Sequence, residues 1–281
     1  MQNLYDFGGV PDAPLLHIAH ANGFHPATYA PLAAPLARSY HVLGLAARPL
    51  WPGQLPQKDK TWRLFADDFI DGLEELGAGG VIGVGHSMGG VTTLLAAIDR
   101  PDLFRAIILL DPVLLPPGWL LLQEGIRRLR LPWQPSLVKR ALCRHRTWPD
   151  RQSAYEYFHK KPFFASWQEA ALRAYVEHGT RPTADGQVTL AYPPEWEAHI
   201  FGSVPTDIWQ FVSRLNSRLP VLFARGERSE TFRPDALARA ARLLPHARVA
   251  TIPHAGHMFP LEHSAETAAL ILSFLTQKYA G

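Results

Sequence analysis

The sequence predicts an α/β protein: a doubly wound, mostly parallel sheet into which a mainly helical cap is inserted. Three observations carry this. Short apolar runs of strand length recur along the chain, helical patterns fall between them, and one long stretch breaks the alternation. Strands that alternate with helices pair in parallel, because each crossover returns the chain to the same end of the sheet.

The runs are residues 15–19, 42–46, 81–84, 106–110, 221–224 and 249–252, each bounded by Gly, Pro, His or charged residues. They are apolar throughout rather than alternating, which is the pattern of strands covered on both faces. Before Leu15 there is room for one short strand. Residues 61–76 carry Phe65, Phe69, Leu73 and Leu76 on one helical face, with acids mostly elsewhere. Residues 88–98 are small and apolar, as in a helix buried under a sheet. The last helix places Ala265, Ala268, Ala269 and Leu272 at helical spacing, with Ser264 as its expected N-cap. Between Leu110 and Pro220 the character changes: this stretch holds six of the eight tryptophans (Trp119, Trp133, Trp148, Trp167, Trp196, Trp209) and many prolines. The resulting division is a core of residues 1–112 and 217–281 and a cap of residues 113–216.

Composition narrows the function classes. Of 281 residues, 47% are hydrophobic and 19% charged, and the net charge is +3. That charge is too small and too dispersed for a nucleic-acid binder. A single cysteine, Cys143, excludes an intrachain disulfide and a cysteine metal cluster. Arg140, Arg144 and Arg146 flank it, but no motif marks it as a nucleophile. No metal-binding pattern is present, and neither a metal nor another cofactor is expected. The opening MQNLYDFGGVPDAP lacks a basic region followed by an apolar run, so no signal peptide and a cytoplasmic residence are expected.

Gly85-His86-Ser87-Met88-Gly89 fits G-x-S-x-G, with an apolar strand running in and a helix running out. A strand that turns at once into a helix strains its central residue and leaves no space for side chains at the flanking positions. Such an elbow lifts the Ser87 hydroxyl above the sheet, as a nucleophile requires. A serine needs a base. His254-Ala255-Gly256-His257-Met258 follows the last strand, and its small residues let the loop turn back over the sheet. His257 is the expected base and His254 the runner-up. His41, His145, His159, His178 and His199 are assigned surface or packing roles.

His20-Ala21-Asn22-Gly23-Phe24, Gly-His-Ser-Met-Gly-Gly and the Gly-His before the final helix together resemble the α/β-hydrolase family, serine carboxylesterase and lipase-like members, over roughly residues 15–112 and 218–279. The resemblance implies the chain order nucleophile, acid, histidine. It places the acid after run 221–224, where Glu230 stands in the position of an aspartate following Gly-x-x-Ser. Asp111, ending run 106–110, is the rival, and Glu227 lies behind both. The resemblance also implies an oxyanion hole formed by the backbone amides of Met88 and Phe24, with His20 bracing the loop.

A serine nucleophile directs the chemistry to acyl transfer to water, and carboxylic esters are the first expectation. Lactones, thioesters, amides and carbon–carbon bonds share the same catalytic triad, and a catalytically silent binding protein is the reading from another class. The aromatic cap suggests a small-molecule ester with an apolar acyl or aryl group. Residues 125–149 contain seven Lys or Arg (Arg127, Arg128, Arg130, Lys139, Arg140, Arg144, Arg146) and no acid. Beside the stripe Trp119, Leu122, Ile126 and Leu129, this raises a peripheral lipid interface. A cap helix packed on the core with a solvated basic face is the favoured expectation. The oligomeric state is left open.

Overall fold

The computed structural model describes residues 3–56, 62–129 and 135–279. Trp133 and Arg130 of the sequence reading lie outside them. The main sheet has seven strands in the order β1-β3-β2-β4-β5-β9-β10. These are β1 (Leu4–Gly9), β2 (Leu15–Ala19), β3 (His41–Leu45), β4 (Val81–His86), β5 (Phe104–Leu110), β9 (Val221–Gly226) and β10 (Arg248–Ile252). Only β1 runs antiparallel, against β3; every other pairing is parallel.

The unbroken apolar character of the strands has a direct cause. Leu16, Ile18, Val42, Ile82, Val84, Ile108 and Leu222 face one core, covered by α1 (Ala30–Leu36) and α12 (Ser264–Tyr279). Val81, Ile107, Leu109, Val221 and Phe223 face another, covered by α2 (Arg63–Glu75), α3 (Met88–Asp99) and α10 (Pro234–Leu243). Ser264 is not an N-cap: its hydroxyl donates back to the carbonyl of Pro260 at 2.8 Å, inside the helical turn contributed by α11 (Phe259–Glu262).

Between β5 and β9 the chain forms α4 (Pro117–Arg128), α5 (Ser136–Leu142), α6 (Arg151–His159), α7 (Glu169–Gly179), α8 (Pro194–Gly202) and α9 (Ile208–Val212). A small antiparallel sheet joins them, order β6-β8-β7, from β6 (Thr147–Trp148), β7 (Thr180–Pro182) and β8 (Val188–Leu190). The apolar stripe of α4 differs from its expected packing. Trp119, Leu122 and the following Leu129 are exposed, and the helix docks instead through buried Leu120 and through Glu124, which accepts from Thr206. No helix among the described residues is long and apolar enough to cross a membrane.

Because the strands are parallel, β2, β4, β5 and β10 all end at one edge of the sheet. The loops that leave them carry the serine, the histidine and the carboxylate of the site described next, and the loop after β9 at the same edge adds donors to it, in keeping with the rule that open α/β sheets bind ligands at the carboxyl ends of their strands.

Candidate active site

β4 ends at His86 and α3 begins at Met88, so one residue makes the whole turn. That residue, Ser87, sits at φ 57, ψ −116, a conformation that a non-glycine residue adopts only when its surroundings hold it there. The Ser87 amide donates to the carbonyl of Leu110 at 3.0 Å, anchoring the elbow to β5. The flanking glycines are steric necessities. A Cβ on Gly85 would run into the backbone of Gly89, and one on Gly89 into the carbonyls of Ala19 and His20.

His257 reaches this serine from the loop after β10. Its Nε2 lies 3.0 Å from Ser87 Oγ, and its Nδ1 lies 2.5 Å from Oδ2 of Asp111. With the proton on Nδ1 directed at the carboxylate, Nε2 is left to accept from the serine hydroxyl. Asp111 is fully buried at the end of β5. Its Oδ1 accepts from the Gly226 amide at 3.2 Å, and its Oδ2 accepts from the Ser229 hydroxyl as well as from His257. Three donors converge on this buried carboxylate and fix its direction.

The carboxylate at the ring is therefore Asp111, and the expectation for Glu230 is corrected. The Glu230 side chain is 89% exposed, and its ion-pair partner is Arg233 at 3.9 Å. The loop after β9 contributes donors rather than the acid: Gly226 and Ser229, the fixed residues of the Gly-x-x-Ser pattern, both bind Asp111. Glu227 serves the neighbouring loop by accepting from the His254 amide at 2.7 Å. His254, the runner-up base, points into solvent.

The loop after β2 lies against the elbow. His20 braces it as expected: Nδ1–H donates to the Ala21 carbonyl at 2.8 Å and Nε2 accepts from the Ala47 amide at 2.9 Å. The Phe24 amide, expected to face an oxyanion, donates instead to Ala21 at 3.3 Å and closes its own turn. Met88 heads α3 directly beside Ser87. The segment between β5 and β9 grips the same loop. Asn22 donates to the Glu197 carbonyl at 3.1 Å and accepts from the Tyr192 hydroxyl at 2.9 Å, while Arg144 joins Glu197 at 2.5 Å to Tyr175 at 2.6 Å. The Phe24 ring packs against Trp167 and Tyr175.

Two further residues went unnoticed in the sequence. His86, the variable residue before Ser87, is buried, and its Nε2–H donates to the backbone carbonyl of His257 at 2.9 Å. Its Nδ1 accepts from the Tyr29 hydroxyl at 2.6 Å, which in turn accepts from the Ala21 amide at 3.1 Å. Burial first, and the nearby His257 second, push the His86 pKa well below the ordinary imidazole value, so the ring stays neutral and this hydrogen-bond order is fixed. One buried chain thus ties the loop after β2 to the loop that carries His257. The only local signal was a histidine inside the elbow motif.

A serine at a strand-to-helix elbow, joined through histidine to a buried carboxylate above a mostly parallel sheet, defines the alpha/beta-hydrolase class. The chain belongs to the alpha/beta hydrolase family, whose pattern matches residues 15–270. Among known proteins it is 25% identical over 244 residues to 2-(acetamidomethylene)succinate hydrolase of Mesorhizobium japonicum, covering 87% of this chain and 81% of that one. It is 23% identical to the sn-1-specific diacylglycerol lipase ABHD11 of Mus musculus, over 77% of this chain and 66% of the other. The crystal structure of E-2-(acetamidomethylene)succinate hydrolase superposes with a TM-score of 0.79 at 22% identity, covering 97% of this chain and 94% of that one.

Proposed function

We propose that the protein is a serine hydrolase that cleaves carboxylic esters through an acyl-enzyme intermediate. The hydrogen-bonded order Ser87–His257–Asp111 is the observation that carries the reading. In the acylation step His257 Nε2 takes the hydroxyl proton as Ser87 Oγ attacks the ester carbonyl, and Asp111 stabilises the imidazolium that forms. The same Nε2 then gives its proton to the departing alkoxide. In the second half-reaction a water attacks the acyl carbonyl, gives its proton to His257 and releases the acid with Ser87 restored. The Met88 amide, at the positive end of α3, is the donor best placed for the developing oxyanion. A second donor comes from Phe24 once its long bond to Ala21 gives way to the stronger charged acceptor.

Substrate class follows from surroundings. Aromatic residues Phe24, Phe158, Phe164, Trp167 and Tyr175 form one cluster that begins in the loop beside the elbow. We therefore favour an acyl or aryl group of apolar character, with the segment between β5 and β9 acting as a cap. The name of the Mesorhizobium relative speaks of an acetamidomethylene succinate and that of the mouse relative of a diacylglycerol. Ester, amide, thioester and lactone substrates accordingly belong in one panel.

The test is covalent labelling with a fluorophosphonate probe, followed by that panel of p-nitrophenyl esters and matched analogues. Wild type labels and Ser87→Ala does not, and ester turnover exceeds turnover of the other classes. Equal absence of labelling in both proteins overturns the enzymatic reading; faster turnover of another acyl class overturns the ester assignment alone.

A further inference from the structure

The turn that follows β2 is held from outside itself. Residues 21–24 are closed by one long hydrogen bond, from the Phe24 amide to the Ala21 carbonyl at 3.3 Å, and Gly23 takes the left-handed φ of 86 that the turn requires. Its two middle residues are gripped by the segment between β5 and β9. Tyr192 immediately precedes Pro193-Pro194, which open α8, and Glu197 stands in the first turn of that helix. The Asn22 side chain uses both its ends on this stretch: Nδ2 donates to the Glu197 carbonyl at 3.1 Å and Oδ1 accepts from the Tyr192 hydroxyl at 2.9 Å. Burial first, and Glu197 second, raise the Tyr192 pKa well above the ordinary phenol value, so the hydroxyl keeps the proton that it donates.

The contacts form a closed circuit. They run from Asn22 to Glu197, from Glu197 to Arg144, from Arg144 to the Tyr175 hydroxyl, and from the Tyr175 ring back to the Phe24 ring, 5.6 Å between centroids. Gly23 is enclosed by it: a Cβ there would stand 3.3 Å from the Glu197 carboxyl and 3.6 Å from the Arg144 guanidinium. Asn22 and Tyr192 are buried, and the Arg144 and Glu197 side chains are only 23% and 12% exposed. A covered ion pair contributes little net stability, because desolvation offsets the attraction; what this one fixes is the place of the turn. That place matters for acyl transfer. Losing one oxyanion donor costs about 10²–10³-fold in rate, and moving a reacting group by about 1 Å costs about 10²-fold. The Phe24 amide can exchange Ala21 for an oxyanion only while the rest of the turn stays where it is.

We propose that Asn22 and Tyr192 are positioning residues of the oxyanion hole, through which the segment between β5 and β9 holds the turn after β2 in register with Ser87. This rests on the acyl-enzyme reading above. The test uses the full chain and an ester that the wild type turns over. Tyr192→Phe deletes one oxygen and keeps the ring; Asn22→Ala removes both side-chain bonds. The expected falls in kcat are about tenfold and about 10²-fold, with KM within about twofold of wild type. A trifluoromethyl ketone reads the oxyanion directly: Ser87 Oγ adds to its carbonyl carbon, the hydroxyl proton passes to His257, and the former carbonyl oxygen carries the charge. Its inhibition constant rises by the same factors as kcat falls, which a general loss of packing would not produce. Glu177→Gln, at an exposed ion pair with Arg151 elsewhere in the segment, leaves both quantities within about twofold. If Asn22→Ala does not fold, Tyr192→Phe decides alone. The proposal is overturned by unchanged kcat, by a kcat loss without the matching loss of ketone affinity, or by a change carried wholly in KM. Wild type that turns over no ester removes the acyl-enzyme reading and this proposal with it, an outcome distinct from wild-type activity that the variants leave intact.

Discussion

A carboxylate steers an imidazole only from within hydrogen-bonding reach, and by that measure Asp111 and Glu230 are not equivalent. Asp111→Asn keeps the volume but replaces an acceptor that fixes the Nδ1–H tautomer of His257 and stabilises its cation. In a serine hydrolase this lowers kcat by about 10³–10⁴-fold. Glu230→Gln, at an exposed site, leaves kcat within about twofold. Steady-state rates of the two variants on one ester decide the matter; the reverse order of effects would return the acid to the loop after β9. Tyr29→Phe probes the buried chain behind the histidine loop. It strips the Ala21 amide and His86 Nδ1 of a shared partner, a loss of about 1–3 kcal/mol readable by urea unfolding. Ser87 and His257 were legible in the sequence because their constraints are local: a glycine-flanked serine between strand and helix, and a Gly-His before the last helix. Asp111 was legible only as the rival of Glu230, because what distinguishes it lies 115 and 118 residues away in Gly226 and Ser229. The Gly-x-x-Ser pattern was read correctly as belonging to the acid's site, but its residues hold the carboxylate from outside rather than supply it.

At the level of elements, close backbone approach places the site. β2 lies so near the start of α3 that any side chain at 89 meets the carbonyls of Ala19 and His20, and β9 lies so near the His257 loop that a Cβ on Gly226 meets those of Ala255 and Gly256. Backbone cannot yield as a flexible side chain does. Gly89→Ala is therefore expected to lower stability by about 3 kcal/mol or more, beyond the small gain from alanine's helix propensity. A thermal scan checks it: a melting temperature equal to wild type would mean the elbow has slack that this packing denies. The inner strands were readable because helices on both faces make them largely apolar, a signal that survives without knowledge of neighbours; edge strand β10 instead leaves Val249 and Thr251 exposed. The α4 stripe shows the limit of the same reasoning. Spacing reveals that Trp119, Leu122, Ile126 and Leu129 share a side, yet which side faces the core depends on what Leu120 and Glu124 meet in three dimensions. The hydroxyl of Ser264 likewise had two backbone partners within reach, and sequence alone does not choose between them.

For the molecule as a whole, the buried histidines set the response to acid. His17, His20 and His86 are each at most 2% exposed, and all use a ring nitrogen as an acceptor, from Leu45, Ala47 and Tyr29 respectively. Desolvation lowers the pKa of His17 to about 3 and of His20 to about 4, and holds His86 well below its ordinary value. In the unfolded chain the same rings protonate near pH 6.5. Between about pH 6.5 and pH 4 the unfolded state thus binds up to three more protons on these rings than the native state, and partly buried His25, which desolvation lowers to about 3, adds a fourth. Stability therefore rises with pH across this window and is lost as pH falls. At about 1.4 kcal/mol per proton per pH unit, the three rings together reach a slope of about 4 kcal/mol per unit. A domain of ordinary stability, about 5–15 kcal/mol, is exhausted within two or three such units. Carboxylates with lowered pKa, such as Asp102 beside Arg100, act in a separate window below about pH 4. Urea unfolding free energies taken every half unit from pH 7 to pH 4.5 should fall with a steepening slope that approaches three to four protons. A flat profile across that range would show that these rings are protonated in the folded protein, and that the hydrogen bonds they accept from Leu45, Ala47 and Tyr29 are not maintained in solution.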